Sequence, residues 1–162
     1  SEDTPRSRDR AAMLLWAVDQ AQKAYVVNPD EIVGDFWSRV YRIASEEFPD
    51  LRMKNPGEKG PHSSWLIFKG DLPPKITIDW KVEKGAVGLS FWKGASVQPE
   101  AKDLGPIEGK ATWRLAGTTR TIELRVAEPS GNKWTEMNDD DIRVSLGAAV
   151  ELLRYFRQHL HR

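Results

Sequence analysis

The chain has 162 residues, a length that suits one domain with one hydrophobic core and is short for two. It contains no cysteine, which excludes disulfides, thiolate chemistry and cysteine-ligated zinc, and its 24 basic and 24 acidic residues cancel. No apolar stretch approaches the ~20 residues of a membrane span, so we expect a water-soluble, cytoplasmic protein without a membrane partner.

We expect a single domain over residues 1–162. Residues 1–6 are polar and carry no apolar segment like that of a secretory signal, so we predict that they are disordered. The chain begins at Ser1 rather than Met, which is compatible with a domain excised from a longer protein.

Apolar residues at three- and four-residue spacing predict three helices, two before the strands and one after them. The first is expected from roughly Ser7 to Val27. The second begins at Asn28-Pro29, a good N-cap followed by a residue suited to the first turn, and runs to about Phe48. The third is capped by Asn138, and the three aspartates that follow place negative charge at the positive end of the helix dipole. We therefore interpret this acidic cluster as part of a helix start rather than as a metal site.

Between the helices the apolar period changes to alternation, which predicts strands. The first predicted strand is Ser64–Lys69. The second, Lys75–Val82, turns at Gly85 into a third strand that runs to Phe91. Strands Lys110–Ala116 and Thr119–Ala127 form a second hairpin. Hairpins pair antiparallel, and the helices lie outside this region. We therefore predict an α+β fold with a mainly antiparallel sheet of about five strands, packed against two N-terminal helices and one C-terminal helix.

Asp79 and Lys81 lie two residues apart on one predicted strand, so their side chains share a face. In many Mg²⁺-dependent nucleases a carboxylate holds the metal and a lysine acts near the scissile phosphate. With Asp50 or Asp71 as a further ligand, this pattern gives the hypothesis of a divergent metal nuclease. Alternating Asp and Lys is equally typical of any solvent-facing strand, so we expect no metal or other cofactor unless the nuclease hypothesis holds.

The seven tryptophans divide by their position in the predicted strands. Trp65, Trp80 and Trp113 fall on apolar phases and are predicted to be core. Trp92 and Trp134 are the better candidates for exposed aromatics. Trp92 follows Phe91, so it is expected to point away from the apolar face and towards Asp79 and Lys81.

The polar positions of the predicted strands suggest a binding surface. Lys81, Trp92, Lys110 and Arg114 are the predicted contacts, since lysine and arginine pair with phosphates and an aromatic ring stacks on bases. Nucleic acid or a partner protein is the expected ligand. A small ligand bound in a tryptophan-lined cleft between helices and sheet is a further alternative.

The motifs SSWLIF at 63–68, Leu72-Pro73, WKVEKGAVGLSF at 80–91 and EGKATW at 108–113, with the final helix, resemble a bacterial domain. That domain occurs in proteins assigned to the PD-(D/E)XK nuclease superfamily, often as a module after the nuclease domain. The resemblance implies a nuclease-associated domain from a defence system, with nucleic acid or a nuclease domain as partner. Trp80 and Gly88 stand where that family's pattern has His and Asp. The loss of both polar residues favours binding over catalysis, so we expect a domain that is not an enzyme.

Overall fold

The computed structural model describes residues 12–16, 28–52, 65–68, 71–129 and 134–160. Two long helices lie before and after the strands, α1 (Asn28–Glu47) and α2 (Asp139–Tyr155). The strands between them are β1 (Trp65–Phe68), β2 (Ile76–Lys81), β3 (Ala86–Phe91), β4 (Ala111–Ala116) and β5 (Thr119–Arg125). Short 3₁₀ helices cover Val82–Lys84, Ala101–Ile107 and Trp134–Glu136, and a π-helical turn, Phe156–Leu160, follows α2.

The five strands form one antiparallel sheet in the order β1-β2-β3-β5-β4. The predicted α+β fold is therefore confirmed. Of the first predicted helix, only residues 12–16 are described, and they are helical. The rest of that helix and the predicted disordered start at 1–6 lie outside the described residues.

One face of the sheet is apolar because alternate residues of each central strand are apolar. Ile78 of β2 lies opposite Leu89 of β3, which in turn lies opposite Ile122 of β5, and all three are buried. Helices α1 and α2 cover this face. The ring of Trp37 on α1 meets Trp80 at 6.5 Å between centroids. Removing this apolar surface from water, at ~25 cal/mol per Å², is what holds the helix layer on the sheet.

Turns and caps follow the sequence closely. Gly85 adopts the left-handed conformation, with φ 56°, and closes the β2–β3 hairpin after a single 3₁₀ turn. Asn138 caps α2, and its side chain accepts a hydrogen bond from the backbone N–H of Asp141 at 2.8 Å. The capping interpretation of the acidic cluster is thus supported by its position in the first turn of α2.

The tryptophan predictions are confirmed in part. Trp80 is fully buried, and Trp113 is half-buried with its indole N–H donating to the Pro99 carbonyl at 3.3 Å. The prediction for Trp65 is wrong, since its side chain lies opposite Lys81 and is 41% exposed. Trp92 and Trp134, predicted as exposed aromatics, are both partly buried. The Trp134 ring packs edge-on against Phe36 at 5.0 Å, and the Trp92 indole N–H donates to Thr77.

Among the described residues, none of the helices combines the length and the apolar character that crossing a bilayer requires.

Candidate functional site

The second face of the sheet, here called the polar face, carries the alternate residues of the same strands. On β2 and β3 it comprises Thr77, Asp79, Lys81, Ala86, Gly88 and Ser90, and β5 adds Thr121 and Glu123. Exposure on this face rises from the β2–β3 pair towards the β4 edge. Asp79 is 4% exposed, whereas the Arg114 side chain on β4 is 53% exposed.

Asp79 lies at the centre of a hydrogen-bonded chain. The Thr77 hydroxyl donates to Asp79 Oδ1 at 2.9 Å, and the Ser90 hydroxyl donates to Asp79 Oδ2 at 2.6 Å. The Trp92 indole N–H donates to Thr77 Oγ1 at 2.9 Å. Ser90 Oγ and Thr121 Oγ1 are 3.3 Å apart.

When Asp79 is ionised, the direction of these hydrogen bonds follows from the number of protons available. A hydroxyl has one proton, and Ser90 uses its proton on Asp79, so in the contact between Ser90 and Thr121 the donor is Thr121. Every donor in the chain therefore points towards the carboxylate of Asp79. Aligned hydrogen bonds of this kind polarise and strengthen one another inside a protein.

Burial raises the pKa of Asp79 above its usual value of 3.8, because desolvation penalises the charged form. Hydrogen bonds from Ser90, Thr77 and Trp65, together with the charge of Lys81, oppose that rise without cancelling it. The carboxylate is thus costly to bury and is held by hydrogen bonds from the Thr77 and Ser90 hydroxyls.

Trp65 and Lys81 form the accessible part of this region. The Lys81 ammonium lies 5.8 Å from the centroid of the Trp65 ring, within cation–π range. Together with Glu83 and Lys84 of the hairpin turn, these two side chains line a cavity of about 200 Å³. An indole, two lysines and one carboxylate therefore meet at the β1 edge of the sheet.

The four predicted binding residues do not form one patch. Lys81 and Trp92 both belong to the polar face but lie far apart on it. Lys81 is at the end of β2, and Trp92 follows β3 beside the start of β2. The Trp92 side chain points towards Asp79, as predicted. Arg114 is on the same face at the far edge, where it pairs with Glu123 at 2.6 Å. Lys110 instead contacts Glu151 of α2, in the helix layer, at 3.8 Å.

The carboxylates of the nuclease hypothesis are used in other ways. Asp71 forms ion pairs with Arg52 at 3.3 Å and Arg157 at 3.0 Å. Asp50 borders a separate cavity at the end of α1. In the described part of the chain, no group of three or more His, Cys, Asp or Glu side chains could hold a metal ion. Mg²⁺ takes six oxygen ligands, and Asp79, whose oxygens accept from Thr77 and Ser90, does not fit that role in this conformation.

Trp80 and Gly88, the two departures from the family pattern, lie on opposite faces of the sheet. Trp80 is in the core, whereas Gly88 is on the polar face directly opposite Asp79. A Cβ atom at Gly88 would come within 2.7 Å of the Thr121 γ-methyl, so the space of an aspartate side chain is occupied here. The two positions therefore do not belong to one site.

Sequence reasoning missed Thr77, Ser90, Trp65 and Lys84. Thr77 and Ser90 share the strand phase of Asp79, and pairing β2 with β3 about Gly85 would have placed them beside it. Trp65 was missed because Trp-Leu-Ile-Phe is apolar in both phases, so alternation alone does not choose its face.

Comparison of the chain with protein-family models, with curated proteins and with solved structures found no match, so the family resemblance stays a prediction.

Proposed function

We propose that this domain binds single-stranded nucleic acid without cleaving it, in a nuclease-associated context, through the cavity at Trp65, Lys81 and Lys84. The observation that carries the proposal is the partly exposed indole of Trp65 with the Lys81 ammonium beside it. Stacking of a base on an aromatic ring contributes about 1–3 kcal/mol and tolerates any sequence. The cavity of about 200 Å³ has room for one base rather than for a dinucleotide.

Charge around the ring supports the same ligand. Lys81 and Lys84 offer two ammonium groups to the phosphates on either side of a stacked base. Glu83 offers a carboxylate, which accepts hydrogen bonds from the amino groups of bases. The whole chain has no net charge, so the attraction for phosphate has to come from such a local group.

The Asp79 chain supports binding rather than catalysis. Asp79 attracts the Lys81 ammonium, which lies over the Trp65 ring, and a ring held in place loses less entropy when a base stacks on it. Asp79 is buried and its oxygens hold hydroxyl groups, which leaves little room for a metal and its waters. In this proposal Asp79 is a positioning residue and does not touch the nucleic acid.

The test is a titration of a fluorescein-labelled oligothymidine, read by fluorescence anisotropy at low salt. We expect saturable binding that weakens as salt is added. Trp65→Leu should weaken binding by roughly tenfold or more, in keeping with the loss of one stacked base. Lys81→Gln should weaken binding and reduce its salt dependence, whereas Lys102→Gln, an exposed lysine paired with Glu100 in the 101–107 segment, should change neither.

Other outcomes separate the alternatives. Absence of binding to DNA and RNA at low salt would refute the proposal and leave a protein partner as the expected ligand. Mg²⁺-dependent cleavage that Asp79→Ala abolishes would establish the metal nuclease instead.

A further inference from the structure

A second cavity, of about 490 Å³, lies against α2 on the other side of the molecule's helix layer from the sheet site. Its lining includes Pro106, Ile107, Gly147, Arg154, Tyr155 and His159. None of these residues belongs to the polar face, so the cavity is separate from the proposed nucleic-acid site.

Gly147 lies in the middle of α2, where packing does not require a glycine. A Cβ atom added there would meet no atom within 4 Å. A glycine inside a helix costs about 1 kcal/mol relative to alanine. The structure gives no neighbour that the extra methyl would displace. Gly147 and Arg154 line this cavity and also the one at the end of α1 that Glu47 and Asp50 border.

Two further departures from regular helix border the same cavity. Residues Phe156–Leu160 form a π-helical turn, a rare conformation that is frequent at functional sites, and this turn carries His159. On the opposite wall the 3₁₀ segment kinks at Gly105, immediately before Pro106. A hydrogen bond from the Tyr155 hydroxyl to the Asp103 carbonyl ties the two walls together.

The charged groups at the cavity differ in how far they are already paired. Glu151 contacts Lys110 at 3.8 Å, and Arg157, just beyond the lining, pairs with Asp71 at 3.0 Å. Arg154 is exposed, and within the described part of the chain no ion pair engages it. An unpaired guanidinium with a fork of donors suits a carboxylate or a phosphate. Beside it, Pro106, Ile107 and the ring of Tyr155 supply an apolar wall.

We propose that this cavity binds a small organic anion, with its carboxylate or phosphate on Arg154 and its apolar part against Tyr155, Pro106 and Ile107. Gln158 and His159 offer additional polar contacts at the rim. A volume of about 490 Å³ falls within the range of metabolite-sized pockets, roughly 300–1,000 Å³.

The test uses benzoate, phenyl phosphate and the neutral isostere benzamide, each titrated into the ¹⁵N-labelled protein and followed by NMR. We expect saturable shifts of the Gly147, Arg154 and Tyr155 amides with benzoate or phenyl phosphate, and binding of benzamide at least tenfold weaker. Whichever anion binds more tightly identifies the headgroup. Equal shifts with benzamide, or no shift with any of the three, would overturn the proposal.

Three variants locate the ligand. Arg154→Gln should weaken anion binding at least tenfold, while Arg157→Gln, which removes a paired arginine one turn away, should not. Gly147→Leu should place a side chain inside the cavity and weaken binding without loss of helix content, because leucine favours a helix and its Cβ meets nothing. Unchanged binding in Arg154→Gln, or in a folded Gly147→Leu protein, would contradict the assignment.

Discussion

Asp79 is a buried carboxylate, and its burial is an electrostatic cost on the polar face. An isolated carboxylate is expensive to bury, and hydrogen bonds to the charged form recover only part of that cost. Thr77 and Ser90 donate hydrogen bonds to the Asp79 carboxylate, and Trp92 and Thr121 donate in turn to the hydroxyls of Thr77 and Ser90. Two of these four residues lie on the next strands, so the carboxylate also specifies how β2, β3 and β5 align.

The first prediction concerns the pH dependence that Asp79 confers. Its pKa is higher in the folded protein than the usual 3.8, so the folded state binds more protons than the unfolded state between those two values. The contribution of Asp79 to stability is therefore present below pH 3.8 and is lost as pH rises through its folded pKa. Asp79→Asn removes this titration, and the variant should gain stability relative to wild type as pH rises across that window.

Urea unfolding of both proteins from about pH 4 to about pH 8 measures the difference. Asp140→Asn serves as the control for removing a carboxylate, because the Asp140 side chain is 90% exposed. A difference between wild type and Asp79→Asn that stays constant over the whole range would show that the folded pKa of Asp79 is not raised.

The residues of the site were predictable where alternation was unambiguous. Asp79, Lys81 and the direction of Trp92 follow from counting along β2 and β3, which have one polar and one apolar phase. The face on which Trp65 lies cannot be predicted in this way, because every residue of β1 is apolar and only the pairing with β2 decides the face. The direction of the Lys110 side chain cannot be predicted either, since Lys110 precedes β4 and contacts Glu151 in the helix layer.

At the scale of elements, the two hairpin turns offer a matched comparison. Gly85 and Gly117 both have positive φ, 56° and 61°, and both join antiparallel strands. They differ in surroundings. A Cβ at Gly85 would approach Glu128 Cγ to 2.6 Å and its Cα to 3.0 Å, while a Cβ at Gly117 would meet nothing within 4 Å.

We predict that Gly117→Ala costs about 1–2 kcal/mol, the penalty of the left-handed conformation for an L-residue. Gly85→Ala should cost more, because Glu128 must also move and the neighbouring bond from the Val126 N–H to the Gly85 carbonyl, 2.8 Å long, is disturbed. Urea denaturation of the two variants tests the order. Equal losses would mean that the contact with Glu128 relaxes freely.

The elements themselves were predicted well because each has a local signal. The boundaries of α1, α2 and both hairpins agree within a few residues, since N-caps, alternation and turn glycines act over short distances. The π-helical turn after α2 and the length of the 101–107 segment were not predicted. Both depend on contacts between segments that are distant in sequence, such as that of Tyr155 with Asp103.

At the scale of the whole molecule, the sheet separates two kinds of surface. Its apolar face is closed by α1 and α2, while its polar face and the outer side of α2 carry the two proposed sites. The helix layer is joined across α1 and α2 by two arginines with different surroundings. Arg39 donates to the carbonyls of Thr135 and Met137 and to Asp139, whereas Arg143 pairs with Glu47 in solvent.

These two arginines give the last prediction. Arg39→Met removes the guanidinium, whose central carbon lies 5.6 Å from the centroid of the Phe36 ring and which pairs with Asp139 at 2.8 Å. It also leaves two carbonyls at 3.1 and 2.9 Å without their donor. Losing hydrogen bonds from a charged group should lower the free energy of unfolding by about 1.5–3 kcal/mol. Arg143→Met removes an exposed ion pair between the same helices, and exposed pairs contribute little to stability. Urea denaturation should therefore show a lower free energy of unfolding for Arg39→Met than for Arg143→Met. Each variant loses an ion pair, so similar losses in the two would show that the carbonyl contacts of Arg39 add little to stability.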